Sequence, residues 1–288
     1  MYAILILPEG RIKYSDSFRE DGKIDLRSLA FAAPFFQFNN GPKEAIVNAT
    51  KKAAIEQVVV ANRILSNEGI FDYLGHVSVR NPVNSDTFFI SRALAPDLVT
   101  EDDILEVAHD GKVLTETSRA PYSERIIHGA IYKVRPDVNS VVHAHPVAAC
   151  IMANSDMPFR PVIHQAAIFF EGVPVYNEYD FTSPGATGFL VTTQAEGDRV
   201  ACALGTGRAL LMAAHGCVVV GDCVAAAVHA AITLRDNIVV QLGSEQAGNP
   251  KCMTEAQSKF MIPLLEKGRE RAWDYYVNRA KKADVKKP

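Results

Sequence analysis

His143 and His145 stand two residues apart in SVVHAHP, from Ser140 to Pro146. In a β-strand, residues at i and i+2 project from the same face, so this spacing points both imidazoles at one place. A neutral imidazole binds zinc, manganese or iron through one ring nitrogen, and a strand holds such a pair with little rotamer freedom to lose. His215 stands just before Gly216, at a turn between two apolar runs, where a polar ring at a strand end needs a reason. Three histidines with one open position are the arrangement of a metal used for catalysis, whereas a single turn histidine is satisfied by a hydrogen bond. Glu124 lies in the first turn of a helix opened by Pro121, where a carboxylate complements the helix dipole and is also placed for acid–base work. Arg125 beside it and His128 one turn later suit either reading.

Those residues need elements to hold them. From Lys43 to Asn67 the apolar residues Ile46, Ala53, Val58, Ala61 and Leu65 recur at helical spacing, and Gly69 closes the run. His76 to Arg80 and Thr87 to Ile90 read as paired strands, and Ile104 to Ala108 with Lys112 to Leu114 as a hairpin around Asp110-Gly111. Pro121 opens an amphipathic helix that Pro136 stops, and Ser140 to Ala144 is a buried strand. Val147 to Asn154 and Gln194 to Leu204 read as helices. Pro161 to Phe170, Val173 to Tyr176, Ala209 to Ala213 and Cys217 to Val220 read as strands. Asp222 caps a long apolar helix that runs to about Leu242. Hairpin signals outnumber crossover signals, which predicts a single α/β domain whose mainly antiparallel central sheet is covered by helices on both faces.

Composition removes several function classes. The 288 residues carry 30 Lys plus Arg against 33 Asp plus Glu, a net charge of −3, with no basic stripe of the kind nucleic-acid affinity requires. Only Lys281, Lys282, Lys286 and Lys287 cluster positive charge, and they read as a solvated tail. No run reaches the ~20 apolar residues of a membrane span. Leu29 to Phe38 has the apolar character of a signal peptide, but Asp16, Glu20, Asp21 and Asp25 precede it where cationic residues belong, so export is the lesser reading and the cytoplasm the expected location. The five cysteines are odd in number and lack CxxC spacing, which suits a reducing compartment and indicates neither a disulfide framework nor a cysteine zinc site.

One ordered series carries a resemblance: GHVSVR (Gly75 to Arg80), Glu124 opening a helix, an Arg135-Pro136-Asp137 turn leading to VVHAH, and a distant His215-Gly216. It resembles the class II aldolase/adducin family over about residues 43 to 245. The resemblance implies a three-layer α/β/α fold, one divalent metal ion per subunit (zinc or manganese, with iron or cobalt as further options) on His143, His145 and His215, an acid/base role for Glu124, and a homotetramer. It divides the chain into an N-terminal extension (1–41), a metal-binding domain (42–245) and a C-terminal helical segment (246–288). That last segment, with Trp273, Tyr275 and Tyr276, reads as a helix packed by its aromatics, with a lid or subunit contact as the other option.

Sugar-phosphate aldolases of the family usually have Asn in the GNVS element and a small hydroxyl and glycine loop after the next strand, which together hold phosphate. Here His76 and Ser91-Arg92-Ala93-Leu94 stand instead. Arginine adds a planar cation suited to carboxylate. The pattern is similar to the branch of hydroxy-aromatic acid decarboxylases, the hydroxymethylpyridine-dicarboxylate type among them. The implied reaction is decarboxylation of an ortho-hydroxylated aromatic or β-keto-type acid through a metal-stabilised enolate, with Arg92, Arg80 and Ser91 holding a small-molecule carboxylate substrate and Glu124 or His76 returning a proton. An aldolase on a carboxylated or non-phosphorylated substrate is the alternative. A non-catalytic adducin-like module is the third, disfavoured by retention of the histidines and glutamate.

Overall fold

The computed structural model describes residues 3–6, 12–15, 41–179, 181–182 and 188–284. Leu29 to Phe38, the Asn39-Asn40 turn signal and Lys286-Lys287 lie outside them. The chain divides into two compact units, 1–44 and 45–288. In the first, β1 (Ala3–Ile6) and β2 (Ile12–Ser15) form an antiparallel ladder with Ala3 opposite Ser15 and Ile6 opposite Ile12.

Helix α1 (Gly41–Asn67) leads into the second unit, which is built on a seven-stranded sheet. Its strands are β3 (His76–Arg80), β4 (Thr87–Ser91), β5 (Ile104–Ala108), β6 (Ser140–Ala144), β7 (Val175–Tyr176), β8 (Ala209–Met212) and β9 (Gly216–Gly221), in the spatial order β5-β4-β3-β6-β9-β8-β7. The sheet is mixed, which corrects the mainly antiparallel expectation. The edge strand β7 runs parallel to β8, and the other ladders of the sheet are antiparallel. The reason is the connection between them. Helix α4 (Gln194–Leu204) lies between β7 and β8 in the chain, and a crossover of that kind returns a strand parallel to its neighbour.

Strand alternation then divides the core into two. Val77, Val79, Val142, Ala144, Cys217 and Val219 face α1, α3 (Val147–Ala153) and α5 (Val224–Ala247). Phe88, Ile90, Val141, Val218 and Val220 face α2 (Arg125–Val134) and α4. The layers are therefore helices, sheet, helices. Odd and even positions of one strand feed different cores, so His143, next to Val142, lies on the α2 side, as do His76 and Ser78. The C-terminal helices α6 (Glu255–Lys267) and α7 (Arg269–Asp284) follow, and Trp273, Tyr276 and Val277 of α7 pack on the first core.

Four local expectations give way to side-chain chemistry. Pro161 to Phe170 is no strand: a 3₁₀ turn spans His164–Phe169. The buried amides of α5 replace a ladder there, with Asn237 Oδ1 accepting from Val162 and Ile163, Asn237 Nδ2 donating to the Arg160 carbonyl, and Gln241 bonding Arg160 and Pro158. Lys112 to Leu114 pairs with β5 only through a Val107–Val113 bridge. Cys223, not Asp222, is the N-cap of α5, and the Asp222 carboxylate pairs instead with Arg269 at 2.9 Å. Helix α2 begins at Arg125 and not at Pro121, because Pro121 bridges to Arg92; Glu124 becomes its N-cap.

The Arg80 guanidinium is engaged within this framework. Its Nε donates to the Val138 carbonyl, Nη1 to Ser85 and Nη2 to Tyr132 and Arg135, and the guanidinium lies 4.7 Å over the Tyr132 ring. Arg80→Met strands those carbonyls and should cost about 2–4 kcal/mol, read as a lower urea midpoint. An unchanged midpoint would return the guanidinium to the pool of ligand-binding groups.

Candidate metal centre

The end of β6, the β8–β9 turn and the start of α2 bring Glu124, His143, His145 and His215 together, with one ligand atom of each within 4.8 Å of the others. His143 Nε2 lies 3.1 Å from His145 Nε2 and 3.2 Å from His215 Nε2. Glu124 Oε2 lies 3.6 Å from His143 Nε2 and 3.5 Å from His215 Nε2. Close approach at the turn is what Gly216 supplies: a Cβ there would stand 2.3 Å from the Ala144 carbonyl oxygen and 2.8 Å from His145 Cδ2. The preceding Ala214 adopts φ 52°, a left-handed conformation unfavourable for alanine, and its N–H donates to Asn154 Oδ1 at 2.9 Å. Backbone strain of this kind clusters beside functional side chains.

The tautomers make the cluster a cation site. His143 Nδ1 is 3.1 Å from the Cys217 carbonyl, which can only accept, so Nδ1 carries the proton and Nε2 is bare. His145 Nδ1 faces Asp72 Oδ1 at 3.4 Å, an acceptor again, which leaves its Nε2 bare as well. Two lone pairs 3.1 Å apart repel unless a cation stands between them. Donors about 2.1 Å from one ion are about 3.0 Å apart in octahedral and about 3.4 Å apart in tetrahedral geometry, and the two separations from His143 Nε2, 3.1 and 3.2 Å, fall within that interval. The donor set fits a divalent metal, with neutral imidazole and carboxylate suited to zinc, manganese or iron.

Burial works to raise the Glu124 pKa, but His143 and His215 beside it outweigh burial and hold the carboxyl well below the usual range. Its other oxygen, Oε1, accepts the Val191 N–H at 2.9 Å, which fixes the side chain. Burial, followed by the neighbouring His143, lowers His145 to about 4 despite Asp72, so it is neutral and ready to ligate at neutral pH.

His76 lies on β3 opposite His143, with ring centroids 5.1 Å apart, and its ring lies 4.5 Å from that of Tyr122, tilted by 42°. The Tyr122 hydroxyl donates to the Leu94 carbonyl, which ties His76 to the loop after β4. On that loop Arg92 Nε donates to Asp103 Oδ1 at 2.7 Å, an oxygen shared with Arg119, so one edge of the guanidinium is committed within the protein and the terminal nitrogens are what a substrate could meet. Ser91 Oγ is buried with no hydrogen-bond partner among the described residues. Arg80, four residues along β3 from His76, is not part of the cluster.

Asp72, the Cys217 carbonyl, the Val191 N–H and Tyr122 were not readable as site groups. Backbone groups leave no sequence signal, and Asp72 sits in a loop without periodicity. The partners of His76 had one: Ser78 at i+2 on the strand, and His128 with Tyr132 at i and i+4 on α2, form two polar pairs on faces that should be apolar.

The sequence comparisons agree with this geometry. Residues 56–242 match the model for the class II aldolase and adducin N-terminal domain. A decarboxylase of Talaromyces stipitatus, tropJ, is 31% identical over 68% of this chain and 77% of its own length. The 3,4-dihydroxyphthalate decarboxylase of Arthrobacter keyseri is 28% identical over 64% of this chain and 76% of its own. The solved L-fuculose 1-phosphate aldolase of Glaciozyma antarctica superposes with a TM-score of 0.70 at 25% identity, covering 88% of this chain and 95% of that one. With the domain match spanning the helices and strands that carry all four cluster residues, this chain is a member of the class II aldolase and adducin family.

Proposed function

We propose that this protein is a metal-dependent carbon–carbon lyase that decarboxylates an ortho-hydroxylated aromatic or β-keto-type carboxylic acid. The observation that carries the metal is the pair of bare Nε2 atoms of His143 and His145 at 3.1 Å. The reaction type is supported by relatives that are named decarboxylases, and by His76 and Arg92 standing where phosphate-holding aldolases have Asn and a small loop.

A divalent ion on His143, His145 and His215 would supply Lewis acidity to the substrate oxygen adjacent to the bond that breaks. Glu124, ionised at rest, takes the proton of the ortho hydroxyl. Glu124 then gives that proton to the ring carbon that bears the carboxylate, which becomes tetrahedral beside a ring carbonyl. The bond to the carboxyl carbon breaks, CO₂ leaves, and its electron pair flows to that carbonyl oxygen, so the net change is loss of CO₂ with no redox partner. The terminal nitrogens of Arg92 and the Ser91 hydroxyl hold the substrate carboxylates. The assembly we propose is a homotetramer, with a small carboxylate as the partner molecule.

Incubating metal-loaded protein with hydroxylated aromatic dicarboxylates and with aldol compounds, recording CO₂ and aldehyde separately, tests the reading. CO₂ without aldehyde is expected; rapid release of aldehyde from a ketose phosphate without CO₂ would replace it with an aldolase. Asp72→Ala removes the acceptor behind His145 and should weaken metal binding by about 10–100-fold, measured by competition with a chelating dye. Undiminished affinity would mean that Asp72 does not orient His145.

A further inference from the structure

Behind His76 runs a buried polar chain that the reaction above does not use. His76 Nδ1 is 2.8 Å from His128 Nε2, His128 Nδ1 is 2.6 Å from Ser78 Oγ, and Ser78 Oγ is 2.8 Å from the Tyr132 hydroxyl. His76, Ser78, His128 and Tyr132 are each at most 1% exposed, so water does not complete their hydrogen bonds. Both rings are buried and bond to each other and to a hydroxyl rather than to a carboxylate, so both are neutral. Each ring then carries one proton, and the chain has only two proton orders, one the reverse of the other.

The Tyr132 end decides between them. Among the described residues the hydrogen-bond partner of the Tyr132 hydroxyl is Ser78 Oγ, at 2.8 Å; were Ser78 the donor, the phenol proton would have no acceptor in a site closed to water, so Tyr132 donates. Ser78 must pass its own proton to His128 Nδ1, and His128 donates from Nε2 to His76 Nδ1.

We infer that Tyr132, Ser78 and His128 are positioning residues that lock His76 into the Nε2–H tautomer, making it a fixed hydrogen-bond donor for an anionic substrate group. The chain is a lock and not a proton supply. Moving a proton out through His76 would leave Tyr132 ionised, and burial raises the pKa of that phenol even with the Arg80 guanidinium 4.7 Å from its ring. Acid–base transfer therefore falls to Glu124, while His76 holds a carboxylate or developing oxyanion. This catalytic consequence rests on the decarboxylase reading; the tautomer does not.

Neutron diffraction from deuterium-exchanged, zinc-loaded crystals of the unaltered protein is the direct test. Deuterons are expected on Nε2 of His76 and Nε2 of His128, with Nδ1 of His76 bare; a deuteron on His76 Nδ1 overturns the inference. This measurement needs no substrate, so it stands or falls separately from the reaction. In a second arm, Tyr132→Phe removes the end of the chain, and kcat for CO₂ release should fall about tenfold while zinc content stays unchanged, the scale of a lost orienting partner. Unchanged kcat in a folded Tyr132→Phe protein would overturn the catalytic role of the lock. If that variant does not fold, the deuteron positions of the unaltered protein decide alone.

Discussion

Glu124→Gln should leave a folded, metal-containing protein whose turnover is lower by about 10²-fold or more. The substitution is chosen because it preserves nearly everything else. The amide has the carboxylate's shape, and its oxygen can still accept the Val191 N–H that holds Oε1 at 2.9 Å. The change is in proton affinity. An amide neither takes the proton of a hydroxyl nor returns one to carbon, and its neutral oxygen does not balance the charge of a cation on the histidines. The outcome is read by steady-state CO₂ release beside metal analysis of the same preparation. If Glu124→Gln lost its metal while a histidine variant retained it, the carboxylate would be a ligand, and the assignments of Glu124 and that histidine would exchange. The separations place the weight on the first outcome, since the imidazole nitrogens stand 3.1–3.2 Å apart and the carboxylate oxygen stands 3.5–3.6 Å from them.

How much of this was legible in the sequence depends on whether a feature is local. The His143/His145 pair is periodic information: a strand faces alternate residues the same way, and SVVHA is too apolar to be anything but buried. β3, β5, β6 and α4 have the bounds that the sequence predicts. The 3₁₀ turn at His164–Phe169 was illegible because its backbone partners, Asn237 and Gln241, lie more than seventy residues away on α5. The partners of Arg80 were illegible for the same reason. Its type suits a carboxylate, but four carbonyls brought together by folding fill its donors first. The parallel edge pair β7–β8 was hidden because a two-residue strand offers no alternation to read.

His143→Ala should abolish metal binding under conditions where the unaltered protein is saturated, an effect exceeding the about 100-fold expected for losing a residue behind a ligand. His143 occupies the middle of the cluster, 3.1 Å from His145 and 3.2 Å from His215, so its removal takes away a donor and also the ring that fixes the spacing of the other two. Two imidazoles and a carboxylate left around a cavity lose the pre-set geometry that makes ion binding favourable. The truncation also leaves the Cys217 carbonyl without its donor in a site where His143 is 0% exposed. Some loss of stability, about 1–3 kcal/mol for a stranded buried acceptor, therefore accompanies the loss of metal. Circular dichroism separates the two by establishing that the variant remains folded at the temperature of the metal assay. His229→Ala is the matched control, because His229 lies on α5 and is no member of the cluster, and its metal content should equal that of the unaltered chain. Equal metal in His143→Ala and His229→Ala would sink the three-histidine assignment, and with it the Lewis-acid half of the proposed reaction.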